Sequence, residues 1–322
     1  MRALVTGGNG FIGSHLVEAL TKRGYSVTCL VRKTSNLNWL EGLDIKFVYG
    51  DCTEKESLYK AVEDVDYVYH LAGVVRALNR ETLYRVNFLG TRNLLEACNR
   101  INQKIKKFVY LSSQAAVGPI NPKGEWDCNP ITDYGKSKLK GEMVVHSYSD
   151  RLPVLIIRAP AIYGPRDKDI YTYFKFLKRG MKPVPGNGER HINLFYVGDL
   201  IEGMVLAAES ESSSGETYFF ADERSYSWEE AADKAAQALG VRAIKINIPG
   251  WLILTFAFLS EFSLGIIHKP ALIDRQKAKE ILHNGWFCDI IKARERLGFK
   301  PKFSLEEGLK ITAGWYKDNG WL

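Results

Sequence analysis

The sequence has little of what disulfide frameworks and metal sites are built from. It holds five cysteines in 322 residues, and none of them forms a C-x-x-C pair. An odd, unclustered set of thiols argues against a disulfide framework or a zinc site and suits a reducing compartment. No signal-peptide pattern is visible, because the chain begins directly with a strand-like run. We therefore expect a cytoplasmic protein.

Long apolar runs and blocks of one charge sign are also missing. The most apolar stretch, Trp251 to Ile267, is shorter than the ~20 residues that a membrane span needs, and prolines bracket it. We therefore expect no transmembrane segment and interpret the stretch as a buried helix pair. A pocket wall or lid and a weak, shallow membrane contact are the alternatives. The net charge of +7 comes from dispersed basic residues, which fit either a solvated surface or attraction of an anionic cofactor. No nucleic-acid motif is present.

What the sequence does contain is enough apolar material for a substantial core. Hydrophobic residues make up 46% of the chain, which argues against disorder. In the first half, apolar runs alternate with helical stretches, a pattern typical of a parallel sheet covered on both faces. Strands are predicted at Val27–Val31, Ile45–Tyr49, Tyr67–Leu71, Phe108–Leu111 and Val154–Ile157.

A glycine-rich turn, Thr6–Gly13, is the most informative stretch. It follows an apolar run at residues 3–5 and leads into a helical pattern. Such a turn lets the backbone approach a pyrophosphate and aims the helix N-terminus at its charge. The strand before it and the helix after it favour a dinucleotide site over an ordinary tight turn. The contacts predicted in this turn are Gly7, Gly10, Phe11, Ile12 and Gly13.

These patterns predict an α/β fold, a doubly wound parallel sheet of the Rossmann type. The nucleotide-binding domain is expected at residues 1–165, with a return segment at about 192–222. A smaller, mostly helical C-terminal substrate lobe is expected from residues 166–191 and 223–322.

The end of the second strand predicts which cofactor is preferred. An acidic residue about 20 positions past the glycine turn binds the ribose 2′-hydroxyl of NAD, whereas an Arg accommodates the 2′-phosphate of NADP. Here Arg32 and Lys33 follow the strand, and the next acidic residue is Glu41. We expect NADP to be preferred and NAD to be possible; the alternative is that both cations are solvated loop charges. Further cofactor contacts are expected at Asp51, Cys52, Leu71, Ala72 and Gly73.

A tyrosine and a lysine four residues apart, Tyr134 and Lys138, supply candidate proton-transfer chemistry. On a helix they share one face, and an ammonium beside a phenol lowers the phenol's pKa. Tyr171 and Lys175 repeat the spacing, so position must decide between the two pairs. Tyr134 follows the fifth strand, which brings its helix beside the cofactor. We therefore favour Tyr134 and interpret Tyr171 as a packing or pocket aromatic.

Two serines, Ser112 and Ser113, end the fifth strand. Ligands of parallel α/β sheets bind at the carboxyl ends of strands, where a hydroxyl can steady a reacting oxygen. Adjacent side chains point to opposite faces, so only one of the two can face the site. We choose Ser113; an ordinary strand-terminal turn is the alternative.

Taken in order, these motifs resemble the extended short-chain dehydrogenases/reductases, and within them the NAD-dependent epimerase/dehydratase group. The resemblance runs nearly end to end. The stretches that carry it are Thr6–Gly13, Tyr69–Gly73, Leu111–Ser113, Tyr134–Lys138, Arg158–Pro165, Leu297–Pro301 and Ser304–Gly308.

The resemblance implies a catalytic set of Ser113, Tyr134 and Lys138, with Lys138 also holding the nicotinamide ribose. It places Asn87 near the active site, although a helix-start cap is the alternative. It also implies a homodimer formed through helices around Thr91 and Tyr134. Family positions add cofactor contacts at Pro160 and Ile162 and substrate contacts at Gln114, Tyr163 and Arg190.

The branch within the family stays open. Arg190–Asp199 resembles a substrate-contacting segment of sugar-nucleotide epimerases, whereas Trp251–Ile267 is similar to dihydroflavonol reductases and 3β-hydroxysteroid dehydrogenases. The leading hypothesis is an oxidoreductase that interconverts a secondary alcohol and a ketone on a small, partly apolar substrate. A nucleotide-sugar epimerase or dehydratase, which oxidises its substrate transiently, is the alternative. A non-catalytic dinucleotide sensor is the third, because fold alone does not prove activity.

Overall fold

The computed structural model describes residues 1–119, 124–186, 190–267, 270–271, 273–286 and 288–322. Within these residues, seven strands form one parallel sheet. They are β1 (Arg2–Thr6), β2 (Ser26–Val31), β3 (Ile45–Tyr49), β4 (Tyr67–His70), β5 (Lys107–Leu111), β6 (Val154–Arg158) and β11 (Thr217–Phe219). Each of the five predicted strands is present, and their ends differ from the prediction by at most one residue.

The strands of the sheet lie in the order β11-β6-β5-β4-β1-β2-β3. The chain runs outward from β1 to β3, then returns through β4 to β6 on the other side of β1. The direction therefore reverses between β1 and β4, and ligands of such sheets bind in the crevice at that point, beyond the strands' carboxyl ends. The predicted doubly wound Rossmann fold is confirmed.

The remaining strands form two-stranded pairs outside this sheet. They are β7 (Ala161–Tyr163) with β10 (Leu194–Tyr196), β8 (Met181–Pro185) with β13 (Ile244–Ile248), and β9 (His191–Ile192) with β12 (Tyr226–Ser227).

Helices cover both faces of the sheet and make up most of the C-terminal part. They are α1 (Phe11–Lys22), α2 (Tyr59–Val62), α3 (Arg80–Tyr84), α4 (Thr91–Ile101), α5 (Gln114–Val117), α6 (Asp133–His146), α7 (Lys168–Lys178), α8 (Val197–Glu209), α9 (Trp228–Leu239), α10 (Gly250–Ile266), α11 (Arg275–Leu282), α12 (Ile291–Leu297) and α13 (Leu305–Asp318). Shorter 3₁₀ turns lie at Asn38–Leu40, Lys55–Leu58 and Glu211–Ser213, and a π-helical segment, Arg85–Gly90, joins α3 to α4.

Two apolar cores sandwich the sheet. One contains Leu16 of α1 and Leu200 of α8, and it continues into the C-terminal helices. The other contains Leu94 of α4 and Val145 of α6. The central strands β4, β5 and β6 are buried along their whole length, as expected where helices cover both faces. The C-terminal region is mostly helical, as predicted; the division into two domains stays a prediction.

The apolar stretch near residue 260 differs from the expectation. It forms one helix, α10, whose side chains are mostly exposed, so the interpretation as a buried helix pair is wrong. Among the described side chains of this helix, Ile253 and Ala257 are the buried ones, and they pack with Ala278 of α11. An apolar sequence without periodicity does not reveal which neighbour will cover it, and in the described part of the chain only one narrow side is covered. No helix among the described residues is long and apolar enough to cross a bilayer.

Candidate active site

The glycine turn after β1 is built so tightly that side chains would not fit. A Cβ on Gly13 would lie 2.0 Å from the carbonyl oxygen of Gly7, and one on Gly7 would lie 2.8 Å from the backbone nitrogen of Ala72. Gly7 also has a φ of +72°, which L-residues with side chains rarely adopt. The first turn of α1 has neither a side-chain cap nor an acidic residue. Its free N–H groups therefore suit an anionic pyrophosphate, and the residues present fit a dinucleotide.

A row of buried, hydrogen-bonded polar side chains supports this turn. The Thr6 hydroxyl and Nδ1 of His70 are 2.7 Å apart, and Nε2 of His70 lies 3.0 Å from the Thr91 hydroxyl. The backbone N–H of Ala72 donates to the Thr6 hydroxyl at 3.1 Å. Burial lowers the pKa of His70 to about 3, so the imidazole stays neutral. These hydrogen bonds fix the carboxyl ends of β1 and β4 against α4.

The predicted 2′-phosphate residues lie on the surface beside the crevice. Arg32 and Lys33 follow β2 and are exposed, and the Arg32 backbone N–H donates to the Ser35 hydroxyl at 3.1 Å. The Asp51 carboxylate accepts hydrogen bonds from Thr53, at 2.8 Å from its N–H and 2.9 Å from its hydroxyl. These bonds close the turn after β3.

The other residues predicted to contact the cofactor lie at or beyond the ends of the strands. Cys52 is buried, which raises the pKa of its thiol to about 12. Beyond β4, Leu71 and Ala72 are half-buried and Gly73 is exposed; Pro160 is buried beyond β6. Ile162, in β7, is half-buried.

Asn87 lies inside the π-helical segment, so it is not a helix-start cap. Its amide donates to the Val74 carbonyl and to the Ser137 hydroxyl, both at 2.9 Å, and its Oδ1 accepts from the Val74 N–H at 2.8 Å. The side chain is 1% exposed. Asn87 thus ties the loop after β4 to helix α6.

The two serines after β5 point in different directions. Ser112 is buried, and its hydroxyl donates to the Glu142 carboxylate. Ser113 caps the short helix α5 by accepting from the Ala115 N–H at 3.2 Å. Its hydroxyl also forms a hydrogen bond with Tyr134, which lowers the phenol's pKa. The structure therefore brings Ser113, and not Ser112, to the tyrosine.

Helix α6 carries Tyr134 in its first turn and Lys138 one turn later. The Lys138 ammonium is buried, donates to the Leu111 carbonyl at 2.7 Å and lies 4.1 Å from the ring centroid of Tyr110. Burial lowers the pKa of Lys138 to about 7, against an opposing effect of Glu142. The lysine is thereby held at the end of β5, where the crevice opens.

The pKa of Tyr134 differs from the expectation. Burial raises it to about 12; the hydrogen bond with Ser113 lowers it in part, and the charge of Glu280 raises it further. The predicted lowering by Lys138 is wrong for this structure, because the Lys138 ammonium is directed at the Leu111 carbonyl. The phenol is therefore protonated at neutral pH.

Sequence reasoning missed a buried ion pair behind α6. Arg158 and Glu142 are 1% and 0% exposed, and Nη2 of Arg158 lies 2.7 Å from Oε2 of Glu142. Glu142 lies one turn beyond Lys138 and raises its pKa. A signal was present in the sequence, because Glu142 interrupts a buried helix face and Arg158 interrupts an apolar strand. The sequence pattern did not indicate that these two side chains would form a pair.

A second missed contact joins the C-terminal lobe to the start of α6. The Thr132 hydroxyl donates to Glu280 of α11 at 3.0 Å. Gln276 exchanges two hydrogen bonds with Asp133, through the backbone N–H at 2.5 Å and the carboxylate at 2.8 Å. Helix α11 therefore sits directly against the turn that carries Tyr134.

The predicted substrate residues are spread out. Gln114 is buried at the start of α5. Tyr163 is 1% exposed and its hydroxyl donates to the Leu305 carbonyl at 3.4 Å, so its side chain packs in the interior at the start of α13. The Arg190 guanidinium donates to the Leu282 carbonyl at the end of α11. Tyr171 is a packing residue, as expected: its hydroxyl donates to the Trp321 carbonyl at 2.5 Å.

Comparison with known proteins agrees with this geometry. Residues 3–220 match the family model described as the NAD dependent epimerase/dehydratase family. The chain belongs to that family. The match spans the glycine turn, both serines and the tyrosine–lysine pair, and the chain is of the extended short-chain dehydrogenase/reductase type.

Relatives of this chain include reductases and dehydrogenases. A ceramide reductase of Caulobacter vibrioides is 29% identical over 319 residues, covering 99% of this chain and 95% of the relative. A 3 beta-hydroxysteroid dehydrogenase/Delta 5-->4-isomerase of Mycobacterium tuberculosis is 30% identical over 341 residues, covering 98% and 90%.

Solved structures of family members share the fold along the whole chain. The UDP-glucuronic acid 4-epimerase of Bacillus cereus, in complex with UDP-glucuronic acid and NAD, is 27% identical. It matches with a TM-score of 0.78, covering 99% of this chain and 100% of that one. The chain described here is therefore an enzyme of the NAD-dependent short-chain dehydrogenase/reductase type. The identity of its substrate is a separate question.

Proposed function

We propose that the enzyme transfers a hydride between NADP and a secondary alcohol or ketone of a small, partly apolar substrate. The observation that carries the proposal is the hydrogen bond of Tyr134 with Ser113 at the carboxyl end of β5, with Lys138 buried one turn further along α6. Such an end of a parallel strand is where ligands of this fold bind. The relatives named for ceramide and for a hydroxysteroid support an apolar substrate.

The residues around the crevice fit the cofactor. Gly7 and Gly13 leave room for a pyrophosphate at the start of α1, and Leu71 to Gly73 would line the opposite wall. Arg32 and Lys33 are exposed at the end of β2, where they would pair with a 2′-phosphate, and this supports a preference for NADP. When bound, the nicotinamide supplies or accepts the hydride.

Tyr134 is proposed as the general acid. Its pKa of about 12 keeps the phenol protonated at neutral pH, so it can give that proton to a carbonyl oxygen. The Ser113 hydroxyl can hold the same oxygen and steady its developing charge. Lys138 is proposed to hold the cofactor ribose, and Asn87 positions α6 through Ser137. With its proton in place, Tyr134 is in the form that reduction of a ketone requires.

Removing one hydroxyl tests this assignment. With a 3β-hydroxysteroid or an oxidised ceramide, whichever the wild type turns over, Tyr134→Phe should lower the change in nicotinamide absorbance by roughly 10²- to 10⁴-fold. Tyr171→Phe is the matched control, because Tyr171 also stands four residues before a lysine, and it should keep turnover within a few-fold. Equal turnover in the two variants would show that Tyr134 is not the general acid.

A nucleotide-sugar epimerase or dehydratase is the second candidate, supported by the likeness to the Bacillus cereus epimerase. Arg190 would be its phosphate partner and would have to leave the Leu282 carbonyl. Such an enzyme would retain its dinucleotide through purification and consume no net NADPH with UDP-glucuronic acid. Denaturing the purified protein and identifying released molecules by mass spectrometry separates the two candidates.

We also propose a homodimer and a cytoplasmic location. Helices α4 and α6 pack side by side on one face of the sheet, and Met143 of α6 is 50% exposed, which supports pairing there. The five cysteines are free, which supports a reducing compartment. Sedimentation equilibrium and fractionation of cells test these two statements.

A further inference from the structure

Helix α10 presents apolar side chains to solvent along most of its length. The exposed fractions of Trp251, Phe256 and Phe262 are 68%, 59% and 67%. Contiguous apolar patches of this kind are rare on soluble monomers and mark contacts with proteins or membranes. The other exposed apolar side chains of this helix are Leu252, Leu254, Phe258 and Leu259.

The exposed side chains cover a wide arc of the helix. At about 100° per residue, the arc from Leu254 round to Phe256 spans about 200°. The opposite side, with Ile253 and Ala257, packs on α11. A helix that packs on a protein core typically has an apolar stripe of about 100° or somewhat more. An arc this wide fits a fluid apolar medium that can wrap the helix.

Three polar side chains of α10 are already paired within the protein. The Thr255 hydroxyl donates to the Trp251 carbonyl at 2.9 Å, and the Ser263 hydroxyl to the Ser260 carbonyl at 3.3 Å. Glu261, at the edge of the arc, pairs with Arg275 at 2.9 Å. Placing the arc in an apolar layer therefore leaves these groups with partners, which such a layer demands.

The chain around α10 is basic. Residues 241–286 hold six Lys or Arg and three Asp or Glu, a net charge of +3, and Arg242 and Lys279 are exposed. This charge attracts an anionic lipid surface. A symmetric contact with a second copy would bring the same positive segment against itself, which is unfavourable.

The apolar helix is also connected to the catalytic turn. Its partner α11 bonds to Thr132 and Asp133 through Glu280 and Gln276, immediately before Tyr134. We propose that α10 lies in the interfacial layer of an anionic lipid bilayer and that the substrate is a bilayer-resident lipid alcohol or ketone. This substrate class rests on the proposed function; the membrane contact does not.

Vesicle flotation tests the contact directly. The wild type should float with phosphatidylcholine vesicles that contain about one-third phosphatidylglycerol, and less with phosphatidylcholine alone. A triple variant, Trp251→Gln, Phe256→Gln and Phe262→Gln, should lower partitioning by at least about a hundredfold, because three large apolar side chains leave the lipid. Brominated lipid should quench tryptophan fluorescence, and Trp251→Phe should remove most of that quenching.

A matched triple variant controls for lost surface hydrophobicity in general. Tyr49, Phe176 and Ile311 are 55%, 39% and 41% exposed on other elements, and changing them to Gln should leave partitioning within a few-fold. Both triple variants should show wild-type circular dichroism. If they float equally well, the proposal is wrong. It is also wrong if the wild type ignores vesicles and α10 instead mediates a dimer, seen as sedimentation that the α10 variant alone shifts to monomer.

Activity separates the membrane proposal from the proposed function. Tyr134→Phe should bind vesicles as the wild type does, since its hydroxyl is buried and bonds to Ser113. The α10 variant should keep turnover of detergent-dispersed substrate within a few-fold and lose at least tenfold with the same substrate embedded in vesicles. Normal flotation without any lipid turnover would overturn the substrate class alone.

Discussion

Replacing Arg158 by Met should leave a carboxylate without its charge partner in the protein interior. Nε of Arg158 lies 3.1 and 3.2 Å from the two Glu142 oxygens, and Nη2 lies 2.7 Å from one of them. Methionine has an apolar stem of similar reach but none of these donors. Ser112 would remain as a hydrogen-bond partner of the carboxylate, and a single hydroxyl does not neutralise its charge.

The magnitude follows from burial. Because Arg158 and Glu142 are 1% and 0% exposed, removing one partner should cost about 3–5 kcal/mol of the free energy of unfolding. That is a large part of the roughly 5–15 kcal/mol available to a typical protein. Removing both charges, as Arg158→Met with Glu142→Leu, should recover most of the loss, because an apolar pair of similar volume is often neutral or better.

Urea unfolding at neutral pH, followed by circular dichroism, measures the effect. Arg2→Met serves as the control, because Arg2 and Asp64 form an ion pair with exposed side chains, 48% and 74%, and such pairs are typically worth less than about 1 kcal/mol. If Arg158→Met unfolds within about 1 kcal/mol of the wild type, or if the double variant is no more stable than the single one, the reasoning from burial is refuted.

Three further outcomes are expected. Gly13→Ala should abolish dinucleotide binding in equilibrium dialysis, since its Cβ would lie 2.0 Å from the Gly7 carbonyl oxygen, whereas Gly314→Ala, with nothing within 4 Å, should bind normally. Folding lowers the pKa of Lys138 from 10.5 to about 7. Between these pH values the unfolded chain holds the extra proton, so the free energy of unfolding should rise with pH. Urea unfolding of the wild type near pH 7 and near pH 10 should show this rise, and Lys138→Met should lack the contribution of Lys138 to it. NADPH should bind more tightly than NADH by fluorescence titration, and Arg32→Ser should reduce that difference; equal or tighter NADH binding in the wild type would contradict the preference.

The sheet could be predicted because its causes are local. A buried parallel strand is a short apolar run, and runs such as Ile45–Tyr49 stand out between helical stretches. The glycine turn was equally predictable, since Gly13 is required by its contact with Gly7 in the same strand–turn–helix unit, and Gly7 by its own positive φ.

The rest depended on contacts between distant segments. The alternation of side chains along a strand says that Ser112 and Ser113 face opposite ways, but only the position of Glu142 shows which one is turned toward the ion pair. The pKa of Tyr134 was predicted in the wrong direction because burial outweighs any neighbour at that site. Helix α10 was wrongly predicted to be buried, because its sequence shows that it is apolar but not whether another element covers it.

The bonds between α11 and the start of α6 limit how this enzyme can be recombined with its relatives. Gln276 has to match Asp133, and Glu280 has to match Thr132, although 143 and 148 positions separate these partners along the chain. A graft of residues 250–286 from a relative would place different side chains against the turn that carries Tyr134. A functional chimaera should therefore exchange residues 132–133 together with residues 250–286, so that these hydrogen bonds stay matched.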